Sequence, residues 1–125
     1  MKKLYIAIAF LIIALGLCVF EQYTVQSAYH QTTEYIDNAM EGLEKNDYKA
    51  VEKSCDMLSK YWNKKYPIMT AMIDHGPLDE ASITINSLND LAKNKSDELE
   101  TQLITAKNQM KNIHDNQCIT FGNIF

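Results

Sequence analysis

The fold is decided by residues 4–44, LYIAIAFLIIALGLCVFEQYTVQSAYHQTTEYIDNAMEGLE, where an uncharged apolar run continues into an amphipathic pattern. In the second part, the core-facing positions recur in steps of four and three, as on one face of an α-helix. They are Val25, Tyr29, Thr32, Ile36, Ala39 and Leu43, with Thr32 as the weak member. Neither Gly nor Pro occurs between Leu17 and Glu41. We therefore expect one continuous helix over the whole stretch.

The apolar run Leu4–Phe20 indicates a membrane segment. Its seventeen residues would form a helix of roughly 25 Å, the short end of what crosses a bilayer. Lys2 and Lys3 precede the run and Glu21 follows it, which predicts a single pass with the N-terminus in the cytoplasm and the rest outside. The alternative is a secretory signal cleaved at Val25–Ser27, which would release a secreted product.

Three further apolar stripes follow with the same spacing. They are Val51, Cys55, Leu58, Trp62, Tyr66, Met69 and Ile73; then Leu78, Ala81, Ile85, Leu88 and Ala92; then Leu99, Leu103, Ala106, Met110 and Ile113. Four stripes joined by short links predict an all-α protein, in which an N-terminal transmembrane helix continues into an antiparallel bundle of about four helices. The predicted parts are an anchor (1–20), an extracytoplasmic bundle (21–118) and an apolar tail (119–125).

Polar residues and prolines predict where these helices begin and end. Asn46 or Asp47 should cap the second helix, because a short polar side chain satisfies free amides of the first turn. Pro67 should kink or briefly break that helix near residues 63–66. Asp74-His75-Gly76 should end it, and Pro77 should then be the first residue of the third helix.

The composition excludes several classes of protein. Only 4 Gly and 2 Pro occur in 125 residues, too few for the frequent turns of a β-sandwich or barrel. All 12 basic residues are lysine and the net charge is −4, so a nucleic-acid partner is not expected. No nucleophile elbow, phosphate loop or Cys-x-x-Cys pair is present. We therefore expect no enzyme activity, no metal and no cofactor.

His75 is the most distinctive polar residue, because it lies at the corner expected between the second and third helices. Its structural interpretation is a cap on the third helix, or a hydrogen bond to Trp62 or Tyr66 across the corner. Its functional interpretation is a ligand for a divalent metal, together with carboxylates such as Asp74 and Asp79. A contact with a partner protein is the third possibility.

Two aromatic features could be either core or binding surface. Trp62 falls on a core stripe, and the alternative is a cleft for a planar ligand walled by Trp62, Tyr61 and Tyr66.

The apolar tail contains Phe121, Ile124 and Phe125, which we expect to fold back over the bundle; a docking peptide for a partner is the alternative.

Several short pieces of sequence resemble one protein family. They are Asn46-Asp47-Tyr48-Lys49-Ala50, Trp62, Ile73-Asp74-His75, Leu78-Asp79 and Asn123-Ile124-Phe125. In this order the chain resembles DUF4363, a family of small bacterial proteins with an N-terminal membrane helix and a helical remainder. Tyr48 stands where the family often has Trp, and Gly76-Pro77 where an acidic pair is usual, which removes carboxylates beside His75. The resemblance implies architecture and no particular chemistry.

These patterns favour a membrane-tethered, non-enzymatic module that acts through protein contacts. The expected partners are the membrane, through residues 4–20, and a second protein, for which an integral membrane protein is a candidate. The alternative is a bundle that senses a small molecule between its helices and works with a membrane partner.

Overall fold

In a computed structural model, residues 1–73 and 75–124 are described, with side chains through Asp115. Four helices make up almost all of this part: α1 (Lys2–Glu44), α2 (Tyr48–Thr70), α3 (His75–Lys93) and α4 (Leu99–Ile124). No strand occurs among the described residues. The all-α prediction is confirmed.

The helices form an antiparallel four-helix bundle. Each packs against two neighbours, so that α1 contacts α2 and α4, and α3 contacts the same two helices. The direction of α4 follows from its contacts with α1: Lys107 pairs with Asp37, and His114 lies further along α4 beside the earlier Gln26. The predicted bundle is therefore confirmed.

The core consists of the four predicted stripes. Nearly every stripe position is buried, and Tyr29, Leu43, Tyr66 and Ile73 are half-buried at its margin. The largest fully buried side chain is Trp62 on α2. Thr32, the weak member of the α1 stripe, is also fully buried, and its hydroxyl has no hydrogen-bond partner within the described residues.

The turn between α1 and α2 is fixed by two adjacent polar residues. Asn46 has a left-handed backbone (φ 55°), and the amide of Asp47 donates to the carbonyl of Gly42 (2.8 Å), which closes a Schellman motif. The Asp47 carboxylate then accepts a hydrogen bond from the amide of Ala50 (3.3 Å) and caps α2. The predicted cap is confirmed.

The turn between α3 and α4 repeats this arrangement. Lys95 takes the left-handed conformation (φ 52°), and the amide of Ser96 donates to the carbonyl of Leu91 (3.0 Å). The Ser96 hydroxyl accepts from the amide of Glu98 (3.2 Å). Both turns lie at the same end of the bundle, because α1 and α3 run in the same direction.

The connection between α2 and α3 differs from its prediction in two respects. The helix α2 continues through Pro67 without a break and ends at Thr70, before the expected stop at residues 74–76. The helix α3 begins at His75, which makes Pro77 its third residue rather than its first. None of the first four amides of a helix has a partner within the helix, so proline is tolerated at either position.

The helix α1 has two different halves. Residues 1–20 are all exposed, whereas partial burial begins at Glu21 and full burial at Val25. Among the described residues, α1 is the one helix long and apolar enough to cross a membrane, judged by length and composition. At the other end of the chain, α4 continues past residue 118 to Ile124. The predicted boundary between bundle and tail therefore falls inside a helix.

Candidate interaction site at the α2–α3 corner

Tyr66 and Asp79 tie the end of α2 to the start of α3. The Tyr66 hydroxyl donates a hydrogen bond to the Asp79 carboxylate at the surface of the corner. This hydrogen bond, more than burial, raises the pKa of Tyr66 above its ordinary value, because ionised tyrosine could not donate it and would face a second negative charge. The residue that bonds Tyr66 across the corner is therefore Asp79, and not His75 as one interpretation expected.

Trp62 lies one helical turn before Tyr66 and belongs to the core. Its side chain is fully buried, and its ring centre is 6.4 Å from that of Tyr66. Its indole nitrogen has no hydrogen-bond partner among the described residues. A buried indole N–H usually has a partner, so this orphaned donor is a distinctive polar feature of the core.

Tyr61, Trp62 and Tyr66 do not form the walls of one cleft. Tyr61 packs edge-on against Tyr35 of α1, with ring centres 6.0 Å apart. Trp62 is directed into the core, and Tyr66 contacts α3 through Asp79. Trp62 is fully buried beside Tyr66 and cannot line an open cleft, and Tyr61 lies apart from both against α1.

His75 is exposed at the first position of α3. Asp74, its neighbour in the predicted metal site, lies outside the described residues. Among the residues that are described, no group of three or more His, Cys, Asp and Glu side chains is arranged to hold a metal ion.

The predicted tail is only partly described. Phe121 and Ile124 belong to α4, but their side chains lie outside the described part of the structure, as does all of Phe125. That these side chains fold back over the bundle stays a prediction, as does the alternative that they dock onto a partner.

A comparison with protein families matches residues 19–124 to DUF4363, a domain of unknown function. The chain belongs to the DUF4363 family. The match begins at residue 19, near the end of the apolar run, so it covers the bundle and leaves out most of the exposed first half of α1. No curated protein and no solved structure matches the chain.

Several of the residues that carry the DUF4363 resemblance have architectural positions in the structure. Asn46 and Asp47 form the first turn, and Tyr48 lies under the ammonium of Lys95 (5.1 Å to the ring centre), which links the two turns at that end. Trp62 fills the core, and Asp79 holds the opposite corner.

Two polar contacts between helices were not predicted. The His114 ring stacks on Tyr29 (4.5 Å between ring centres), and its Nε2 lies 2.6 Å from Gln26 Oε1. On the α2–α3 side, Asn86 bonds both Ser59 and Asn63 at 3.0 Å. Each contact joins residues more than twenty positions apart, so only the packing register of the helices could have revealed it.

Proposed function

We propose that this DUF4363 protein is a single-pass membrane protein whose helical bundle lies outside the cytoplasm and acts, without catalysis, by binding another protein. We favour an integral membrane protein as the partner class, because an anchored bundle meets other anchored proteins in the plane of the membrane.

One observation carries the proposal: α1 is a single helix that leaves its apolar first half uncovered. Leu4, Phe10 and Leu17, for example, are 62%, 69% and 63% exposed, whereas Ile36 further along the same helix is 0% exposed. An apolar stretch of this length is costly in water and is stabilised by the hydrocarbon of a bilayer. The unbroken helix would fix the bundle at the membrane surface.

Charge supports the proposed orientation. Lys2 and Lys3 flank the apolar run on one side and Glu21 on the other, and lysine favours the cytoplasmic side. Beyond Phe20 the chain carries ten lysines against all 16 acidic residues, a formal charge of −6.

Reporter fusions test the anchor and its direction. A reporter active only outside the cytoplasm, fused after Phe125, should be active and should remain in the membrane fraction. The matched control replaces Lys2 and Lys3 with Glu and Glu21 with Lys, which should reduce outside activity. A second fusion carries a reporter that is active only inside the cytoplasm. Activity of that reporter in a membrane-associated product would refute the orientation. A released product that lacks residues 1–27 would support the cleaved signal instead.

Site-specific photocrosslinking in cells tests the protein partner. Ile83 on α3 is 74% exposed, the highest value among the large apolar residues of the bundle whose side chains are described, and is a suitable position for the crosslinker. The control position is Glu34 on the exposed side of α1. We expect a distinct crosslinked product when the crosslinker lies on one face of the bundle and not when it lies on the other. Equal products from both positions, or none from a panel covering all four helices, would contradict a specific protein contact.

A small-molecule sensor is the second candidate, and two orphaned polar atoms in the core favour it. The Thr32 hydroxyl and the Trp62 indole nitrogen are buried without partners in the described structure, and an unpaired buried polar group is destabilising. A small polar ligand could satisfy such groups. Because Trp62 is the single tryptophan, its fluorescence reports binding directly. An unchanged emission spectrum across a broad panel of small polar and aromatic compounds would count against the sensor.

A further inference from the structure

The turn between α2 and α3 lies at the end of the bundle that faces the apolar half of α1. Tyr61 of α2 packs beside Tyr35 of α1, and the two helices run in opposite directions. Nine residues further along α2, Thr70 is level with about residue 26 of α1, and Ile73 with about residue 23, since both helices rise by about 1.5 Å per residue.

The bundle begins directly after the apolar run. Coverage of α1 starts at Glu21, the residue that follows Phe20, so no stalk separates the two halves of the helix. The turn is therefore only about 4.5–9 Å beyond the end of the run, measured along α1. The headgroup layer of a bilayer is roughly 5–8 Å thick on each side, which is the same range.

The chemistry of this turn differs from that of the two turns at the opposite end. From Pro67 to Ile73 the sequence is PIMTAMI, and no charged residue occurs between Lys65 and Asp74. Ile68 is 42% exposed and Ala71 is exposed, so part of this apolar surface is not covered by the bundle. The distant turns read EKND (44–47) and NKSDE (94–98), and both are rich in charge.

We propose that the uncharged turn formed by residues 67–73 is a second membrane contact, inserted into the lipid headgroup layer beside the anchor. This inference rests on the proposed anchor and adds to it. The driving force is removal of Ile68 and its neighbours from water, and the turn binds the bilayer itself rather than a protein. Two contacts instead of one would hold the bundle upright, with its charged turns directed away from the membrane.

Depth-dependent fluorescence quenching tests this contact in the full chain, reconstituted into phosphatidylcholine vesicles. Single cysteines carry an environment-sensitive dye at Ala71 in the turn, at Asn94 in a distant turn and at Ile12 in the apolar run. The background is Cys18→Ala with Cys118→Ser. Cys55 is retained because it is buried, and burial raises the pKa of its thiol to about 11, which keeps it unreactive.

The three labels separate the possible outcomes. We expect a lipid with a spin label near its headgroup to quench the A71C dye at least about twofold more than the N94C dye, while a deep spin label quenches the I12C dye. Equal, weak quenching at A71C and N94C with strong quenching at I12C would overturn the second contact and leave the anchor intact. Absence of quenching at I12C would overturn both.

The variant Ile68→Asp provides a second measurement without a dye at the turn. It should increase the accessibility of T70C to a water-soluble thiol reagent in vesicles but leave that accessibility unchanged in detergent. The control Ile83→Asp, at an exposed isoleucine away from the turn, should have no such effect. The same change with both variants would also refute the contact.

Discussion

The close approach of α1 and α2 depends on Gly42, and replacing it with alanine is the sharpest test of the packing. Gly42 is buried in the last turn of α1. A Cβ atom at this position would lie 2.8 Å from Val51 Cγ2 and 3.3 Å from the Asp47 carbonyl oxygen. Val51 is fully buried and β-branched, so its side chain has little freedom to turn away. The carbonyl belongs to the capped start of α2.

Two opposing effects determine the sign of the change. Alanine gains about 0.5–1 kcal/mol over glycine within a helix. Overpacking of a core contact costs about 1–3 kcal/mol. Because one clash involves a stiff side chain and the other a fixed backbone atom, we expect the steric cost to prevail by about 1 kcal/mol. For a domain near 100 residues, this lowers Tm by roughly 4–8 °C.

Thermal unfolding of the full chain in detergent, followed by the fluorescence of Trp62, measures the effect. The matched control is Gly76→Ala in the first turn of α3, where a Cβ would meet no atom within 4 Å. That variant should be as stable as the natural chain or slightly more stable. In a Val51→Ala background, the cost of Gly42→Ala should fall by about half, because the shorter clash is gone. A Gly42→Ala protein with a Tm equal to or above that of the natural chain would refute the reasoning.

Four further predictions concern single side chains. Trp62→Ala should cost about 3–5 kcal/mol in denaturant unfolding followed by circular dichroism, because the ring is fully buried. Asn46→Ala should cost about 1 kcal/mol in the same assay, whereas Asn46→Gly should not, because φ is 55° at this position; equal losses would contradict the turn geometry. The Cys55 thiol, with its pKa raised by burial to about 11, should react with a thiol reagent at pH 8 only after denaturation. Asp79 raises the pKa of Tyr66, so their bond should stabilise the protein fully below pH about 10 and be lost at higher pH; Tyr66→Phe should abolish that part of the alkaline loss of stability, measured by unfolding at pH 8 and pH 11.

The elements of the fold could be predicted because each leaves a local signal. An apolar residue every three or four positions identifies a buried helix face, and the α3 stripe from Leu78 to Ala92 is fully buried as expected. The Asp47 cap could be predicted equally well, since the hydrogen bond it makes spans only three residues.

The details of the corner could not be predicted in the same way. Proline is compatible with any position in the first turn of a helix, so Pro77 could not fix the first residue of α3. His75 is a rare residue type at this corner, but the partner of Tyr66 is the carboxylate one turn later, because the register between α2 and α3 places Asp79 there. Similarly, the stacking of His114 on Tyr29 depends on the register between α1 and α4, which leaves no trace in either segment alone.

The positions of the DUF4363 signature residues indicate where a functional surface should be sought. Asn46 and Asp47 shape a turn, Trp62 fills the core and Asp79 fastens a corner, so each of these residues is explained by the stability of the bundle. A residue with an architectural role identifies a fold and does not identify a binding partner. These four residues therefore do not by themselves indicate a partner, and the exposed Ile83 is the natural first position to probe for the proposed protein contact. If crosslinks arose from the two charged turns instead, the partner would lie beyond the end of the bundle rather than beside it in the membrane.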